Sequence, residues 1–161
     1  WGLEATLERA AGMFAMALWD RTDRTLRLVR DRFGEKPLYY GWIGRDLVFA
    51  SELKSIRALP GFEGVVDRRA LAAFAARSYV PAPLSIYQGI FKLPPATILE
   101  VTPGAEPRQA PPQIGEHGRG LGLRRYWDYA KVVADGLARP IAGEDEALDA
   151  VEAALRTAIS D

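Results

Sequence analysis

Five charges crowd into the eight residues Arg30-Asp31-Arg32-Phe33-Gly34-Glu35-Lys36-Pro37. Such a cluster has two chemical uses. It can grip a substrate carboxylate or phosphate, or its charges can pair with each other and with the backbone and fix the loop. The second reading is preferred, because charges on loops are more often structural or solvated than catalytic. Gly34 suits a positive φ, and Pro37 sets φ where a strand begins. Ser51-Glu52-Leu53-Lys54 places a hydroxyl beside a carboxylate, but no histidine lies near in sequence to activate it. It reads as a helix start with Ser51 as N-cap. His117 is the single histidine and has no second ligand around it in sequence, so neither a metal nor a catalytic role is expected. Gly118-Arg119-Gly120-Leu121-Gly122 misses the spacing of a phosphate-binding loop and reads as flexible linker. Tyr126-Trp127-Asp128-Tyr129 has rings that could stack on a base. With no basic groove to accompany them, the expected role is to anchor the chain on a domain surface. The chain contains no cysteine, which removes thiolate catalysis, disulfides and thiolate metal sites.

The elements that must hold these residues follow from periodicity and breakers. Leu3, Leu7, Ala10 and Ala11 share one face of a first helix, with Glu4 and Glu8 opposite. Residues 13–19 are apolar on both strand faces, as for a strand buried between two layers. A polar turn at 20–24 leads to a more alternating strand at 25–30, and 38–42 with 47–50 form a second hairpin around Gly44-Arg45. A helix carrying Leu53 and Ile56 follows Ser51. Asp67 caps another, with Val66 and Leu71 as a hydrophobic staple and Leu71, Phe74 and Ala75 as its buried stripe. Residues 98–101 are the last strand expected, and Thr102-Pro103-Gly104 turns out of it. From 103 to 123, Pro103, Pro107, Pro111, Pro112 and repeated glycines predict a loop or linker, after which 124–129 returns to extended structure. Residues 144–159 form the clearest helix: Leu148, Val151, Leu155 and Ile159 line one face, and acids fill its first turn. The expected class is α+β with antiparallel sheets.

The wording of the chain adds a resemblance. Gly12-Met13-Phe14-Ala15-Met16-Ala17-Leu18-Trp19-Asp20, then residues 30–40 (RDRFGEKPLYY), then Ala50-Ser51-Glu52-Leu53-Lys54 resemble the later part of the glutaminase domain of glutamine-hydrolysing asparagine synthetases. Tyr79-Val80-Pro81-Ala82-Pro83, Ser85-Ile86-Tyr87 and Lys92-Leu93-Pro94-Pro95 are similar to the end of that domain in the bacterial type. Several words in the right order make the resemblance specific. It implies a partial N-terminal-nucleophile hydrolase fold, antiparallel sheets sandwiched with helices (αββα). It further implies a parent, a class II glutamine amidotransferase, that transfers glutamine's amide nitrogen to aspartate. The parent would use ATP and magnesium and release AMP and pyrophosphate. In that family the nucleophile is a cysteine directly after the initiator methionine, with its own α-amino group as base. The motifs of the nucleophile, the glutamine-binding residues and the ATP loop match no position here. No catalytic, cofactor-binding or metal residue is therefore assigned within the chain.

The resemblance divides the chain into residues 1–102, the later half of the glutaminase domain; 103–143, an interdomain linker; and 144–161, the first helix of the synthetase domain. The chain is then expected to be an inactive scaffold fragment. Glutamine, aspartate and ATP would be partners of the parent, with a possible homodimer. Twenty-one basic against twenty-one acidic residues give no electrostatic case for nucleic acid or anionic membrane. No apolar run approaches a membrane span, and a cytoplasmic location is expected. Two alternatives stay open: another class II amidotransferase, forming a phosphosugar amine or a secondary-metabolite amide, and a non-catalytic interaction module derived from this fold.

Overall fold

A computed structural model describes residues 1–160. It forms two units, residues 1–127 and the residues from 128 onward. In chain order the first unit runs α1 (Leu3–Arg9), β1 (Ala15–Asp20), β2 (Thr25–Arg30), β3 (Tyr39–Ile43), β4 (Asp46–Ala50), α2 (Leu53–Arg57) and α3 (Arg68–Arg77). It continues with β5 (Ile90–Lys92), β6 (Thr97–Val101), β7 (His117–Gly118) and β8 (Leu121–Arg125). The second unit holds α4 (Tyr129–Leu137) and α5 (Glu144–Ser160).

All strand pairs are antiparallel and fall into two sheets, ordered β1-β2-β6-β8-β7 and β4-β3-β5. The alternation of side chains along a strand decides what each face does. Leu28, Leu99, Leu121 and Leu123 of the larger sheet meet Tyr40 and Phe91 of the smaller one in the main core. Their neighbours Val29 and Ile98 face the other way and bury Leu7 of α1. A helix on one face and a sheet on the other is the α+β sandwich expected. The β1–β2 turn closes on Asp20, whose carboxylate accepts the Thr22 N–H at 2.9 Å and the Asp23 N–H at 3.2 Å.

Four local expectations are corrected. The expected linker contains β8, paired along its length with β6, and Leu121 and Leu123 are fully buried in the core. Only two leucines in a Gly-rich tract carry that signal, and their partner strand lies about twenty residues upstream. Within the same stretch, α4 is a helix capped by Asp128, whose side chain accepts the Ala130 N–H. Strand β1 is not enclosed: it edges its sheet, and Leu18 and Trp19 are 45% and 54% exposed. Helix α3 turns Ala70 inward and leaves Val66, Leu71, Phe74 and Ala75 exposed, so the small residue rather than the large ones makes the close approach. Its cap is as expected, with Asp67 accepting the Arg69 N–H at 2.8 Å. The α2 N-cap is Glu52, one residue later than expected.

Residues 102–116 remain irregular, tied by the Arg108–Glu116 ion pair at 2.6 Å. Arg119 sits exposed in the tight β7–β8 turn, whereas Arg30 is 6% exposed. Trypsin is expected to cut after Arg108 or Arg119 before it cuts after Arg30 or Lys54, as read by the masses of the earliest fragments. Equal protection of all four would show that this segment is packed.

Candidate functional site

The charged loop is where the sequence concentrates chemistry, and the structure answers what its charges do. Arg30 ends β2 and points its guanidinium into the loop it starts. Its Nε donates to the Lys36 carbonyl at 2.8 Å, one terminal nitrogen donates to the Leu93 carbonyl at 2.6 Å, and the other donates to the Gly34 carbonyl. Asp31, 2% exposed, accepts from the N–H groups of Phe33 (3.1 Å), Glu35 (3.0 Å) and Lys36 (2.9 Å). Its own carbonyl takes the N–H groups of Gly34 and Ala96. Burial by itself pushes the Asp31 carboxyl up, but the backbone N–H groups outweigh it and hold the group below the ordinary carboxylate value. Burial pushes the Arg30 guanidinium down, against the pull of Asp31 and Tyr39.

The remaining charges divide. Arg32 donates to the carbonyls of Leu7 and Glu8 at 3.3 and 2.8 Å, satisfying the last turn of α1. Glu35 and Lys36 point to solvent. Three of the five charges therefore serve backbone groups, although the Arg32 Nε is itself buried without a hydrogen-bond partner. Gly34 has φ +68°, and a Cβ there would lie 2.7 Å from Pro95 Cγ and 2.9 Å from Arg30 Cζ.

The other candidates separate. Ser51 is exposed at the mouth of α2, and Glu52 pairs with Lys54. His117 pairs across β7–β8 with Gly122, where a Cβ would meet its Nδ1 at 2.7 Å. The Gly118–Gly122 tract is thus the turn of a small hairpin rather than a flexible linker. Tyr126 and Trp127 do anchor the chain: the Tyr126 hydroxyl donates to the Arg30 carbonyl at 2.9 Å, and Trp127 meets Phe33 edge-on at 5.2 Å. Burial raises the Tyr126 phenol to about 12. Tyr129 is 59% exposed.

Sequence reasoning missed Lys92, which stands behind the same loop. Its Nζ donates to the Val80 carbonyl at 2.7 Å and lies over the Tyr39 ring at 5.6 Å. Burial, with Arg30 adding to it, pushes the amine below the ordinary lysine value. Its place in the Lys92-Leu93-Pro94-Pro95 word is the one signal that singles it out in sequence.

Comparison with known proteins agrees with this architecture. The sequence profile of the glutamine amidotransferase domain family matches residues 1–110. A putative glutamine-hydrolysing asparagine synthetase of Mycobacterium bovis is 41% identical over 96 residues, 58% of this chain and 15% of the relative. Asparagine synthetase (glutamine-hydrolysing) 1 of Bacillus subtilis is 32% identical over 103 residues, 64% of this chain and 16% of the relative. A protein named amidase chry2 from Gibberella zeae is 28% identical over 148 residues, 92% of this chain and 19% of the relative. The chain spans less than a fifth of the length of these relatives. The ordered words of the sequence, the paired antiparallel sheets and the profile match converge: over residues 1–110 this chain belongs to the glutamine amidotransferase domain family.

Proposed function

We propose that the chain is a scaffold portion of a glutamine-hydrolysing asparagine synthetase, one that moves glutamine's amide nitrogen onto aspartate. The observation that supports this reading is the hydrogen bonding of Arg30 and Asp31 to backbone groups, which fits the charged loop as a brace. Glutamine's amide is a poor electrophile, so its hydrolysis wants a strong nucleophile and preorganised oxyanion donors. The family's nucleophile is a thiolate, and the 161 residues contain no cysteine. What this chain contributes is position: its two sheets and the loop between β2 and β3 fix the floor on which such groups are mounted. The glutaminase portion then extends through β8, beyond residue 102, and the segment joining it to a synthetase domain begins after Trp127. The apolar edge of β1, with Leu18 and Trp19 exposed, supports a sheet completed by further strands.

Aspartate's carboxylate must be activated before ammonia attacks it, which in this reading is the work of ATP with magnesium. Among the described residues no group of three or more His, Cys, Asp or Glu side chains is gathered as a metal site. Gly118–Gly122 opens no helix. In this reading ATP and magnesium are bound by the longer parent synthetase. Among the described residues no helix is long and apolar enough to cross a membrane.

A second reading, an amidotransferase acting on a carboxylate other than aspartate, is favoured by the similarity to amidase chry2 over 92% of the chain. The test has two arms. The chain alone, given glutamine, is expected to release no glutamate above a buffer blank. The longer protein that carries it is expected to form asparagine from aspartate, glutamine and ATP. Turnover by the chain alone would overturn the scaffold reading. A different amide product would select the second reading, and no glutamine-dependent product would sink both.

A further inference from the structure

A cavity of about 360 Å³ opens in the first unit, where the end of β3 meets the loops preceding α3 and β5 and the segment after β6. Trp42, Ile43, Phe62 and Ile90 supply apolar wall, while Glu63 and Arg108 stand among its polar lining. The wall depends on close backbone approach. A Cβ on Gly41 would sit 2.2 Å from the Gly89 carbonyl oxygen, so only glycine lets the 88–90 loop lie against β3.

The charges around the opening do not cancel. Arg108 is neutralised by Glu116 at 2.6 Å, and that carboxylate's other oxygen accepts the Gln113 N–H at 2.9 Å. In the adjoining depression Asp67 and Arg69 neutralise each other at 2.8 Å. Glu63 is exposed and forms no ion pair or hydrogen bond among the described residues. One carboxylate without an ion pair among the described residues thus lines a largely polar cavity that Trp42, Ile43, Phe62 and Ile90 also border. Indole and phenyl faces attract an ammonium through their quadrupoles, and the same faces cover an apolar stem. A carboxylate ligand would meet Glu63 with like charge.

We propose that this cavity binds a primary ammonium carried on a short apolar stem, with the ammonium on Glu63 and the stem along Trp42, Ile43 and Phe62. A free alkylamine and the side chain of a peptide lysine share that chemistry. The site is independent of the amide-transfer reading, and failure of either leaves the other standing.

The test titrates the isotopically labelled chain with n-pentylammonium, N-acetyl-lysine methylamide and n-pentanoate, following backbone amides by NMR. Both cations are expected to shift the amides of Gly61, Gly64 and Gly89 saturably, and pentanoate is not. Tighter binding of the lysine derivative assigns the site to a peptide lysine, and tighter binding of pentylammonium to a free amine. Glu63→Gln, at an exposed position, should weaken cation binding by about fivefold, the worth of one exposed charge contact. Glu35→Gln, on the charged loop, should leave it unchanged. Equal binding of pentanoate, undiminished binding by E63Q, or shifts confined to other residues would each overturn the proposal.

Discussion

Gly34→Val is expected to destabilise the first unit by about 4 kcal/mol, while Glu35→Ala, one residue on, shifts its stability by no more than about 0.5 kcal/mol. The backbone at Gly34 has φ +68°, a region that a β-branched residue enters only under strain. Sterics add to that. The new Cβ would press on Pro95 Cγ at 2.7 Å and on Arg30 Cζ at 2.9 Å. A flexible surface arginine would swing away, but this one is held by the carbonyls of Gly34, Lys36 and Leu93. Moving it breaks charge-assisted bonds that also pin β2 to the segment after β5. Strain and overpacking together cost about 4 kcal/mol, a large share of the margin of an ordinary domain. Circular dichroism melts of both variants check this. A cooperative melt for G34V near that of the parent would show that the loop rearranges freely. Glu35 has no such duty, since its side chain faces solvent. If Glu35→Ala in the proposed parent synthetase abolished glutamine use without unfolding it, the loop would be part of an active site after all.

How much of this was legible in sequence depends on the range of the interaction. Strand β2, the Asp67 cap, the positive φ at Gly34 and helix α5 are set by neighbours in the chain, and all stand where periodicity and breakers put them. The same logic preferred a loop-fixing role for Arg30 and Asp31, and both do hydrogen-bond the backbone of that loop. It did not reveal the partners, because the carbonyl of Leu93 is 63 residues from Arg30 and the Tyr126 hydroxyl that meets the Arg30 carbonyl is 96 away. Strand β8 was hidden for a related reason: Leu121 and Leu123 acquire their meaning only from the face of β6 they cover. Helix α3 misled through size. An apolar stripe of Leu71 and Phe74 is the stronger periodic signal, yet Ala70 is the residue with room to approach the core. Leu71 and Phe74 are left as exposed apolar surface, as are Leu18 and Trp19 on β1, and isolated sequence patterns do not distinguish a core face from an interface.

Asp31→Asn is expected to cost the first unit about 3 kcal/mol at neutral pH, and the deficit should shrink in acid. In the native loop two carboxylate oxygens accept three backbone N–H groups, from Phe33, Glu35 and Lys36. Asparagine keeps one acceptor oxygen and turns an NH₂ toward one of these donors, so an N–H of the loop loses its acceptor. The sign of the pH effect follows from the lowered carboxyl. A group whose folded value lies below its unfolded one stabilises the fold fully above the ordinary carboxylate value of 3.8. That contribution is lost as pH falls through the lowered folded value. At low pH the protonated wild-type acid and the amide become similar neutral groups, each with one acceptor oxygen and one misplaced donor. Urea unfolding of parent and variant at pH 7 and at successively lower pH measures the gap. Asp67 and Glu116, also held below their ordinary values, titrate in both proteins and drop out of the difference. A gap that stays constant as the pH falls would show that the charge on Asp31 does not brace the loop.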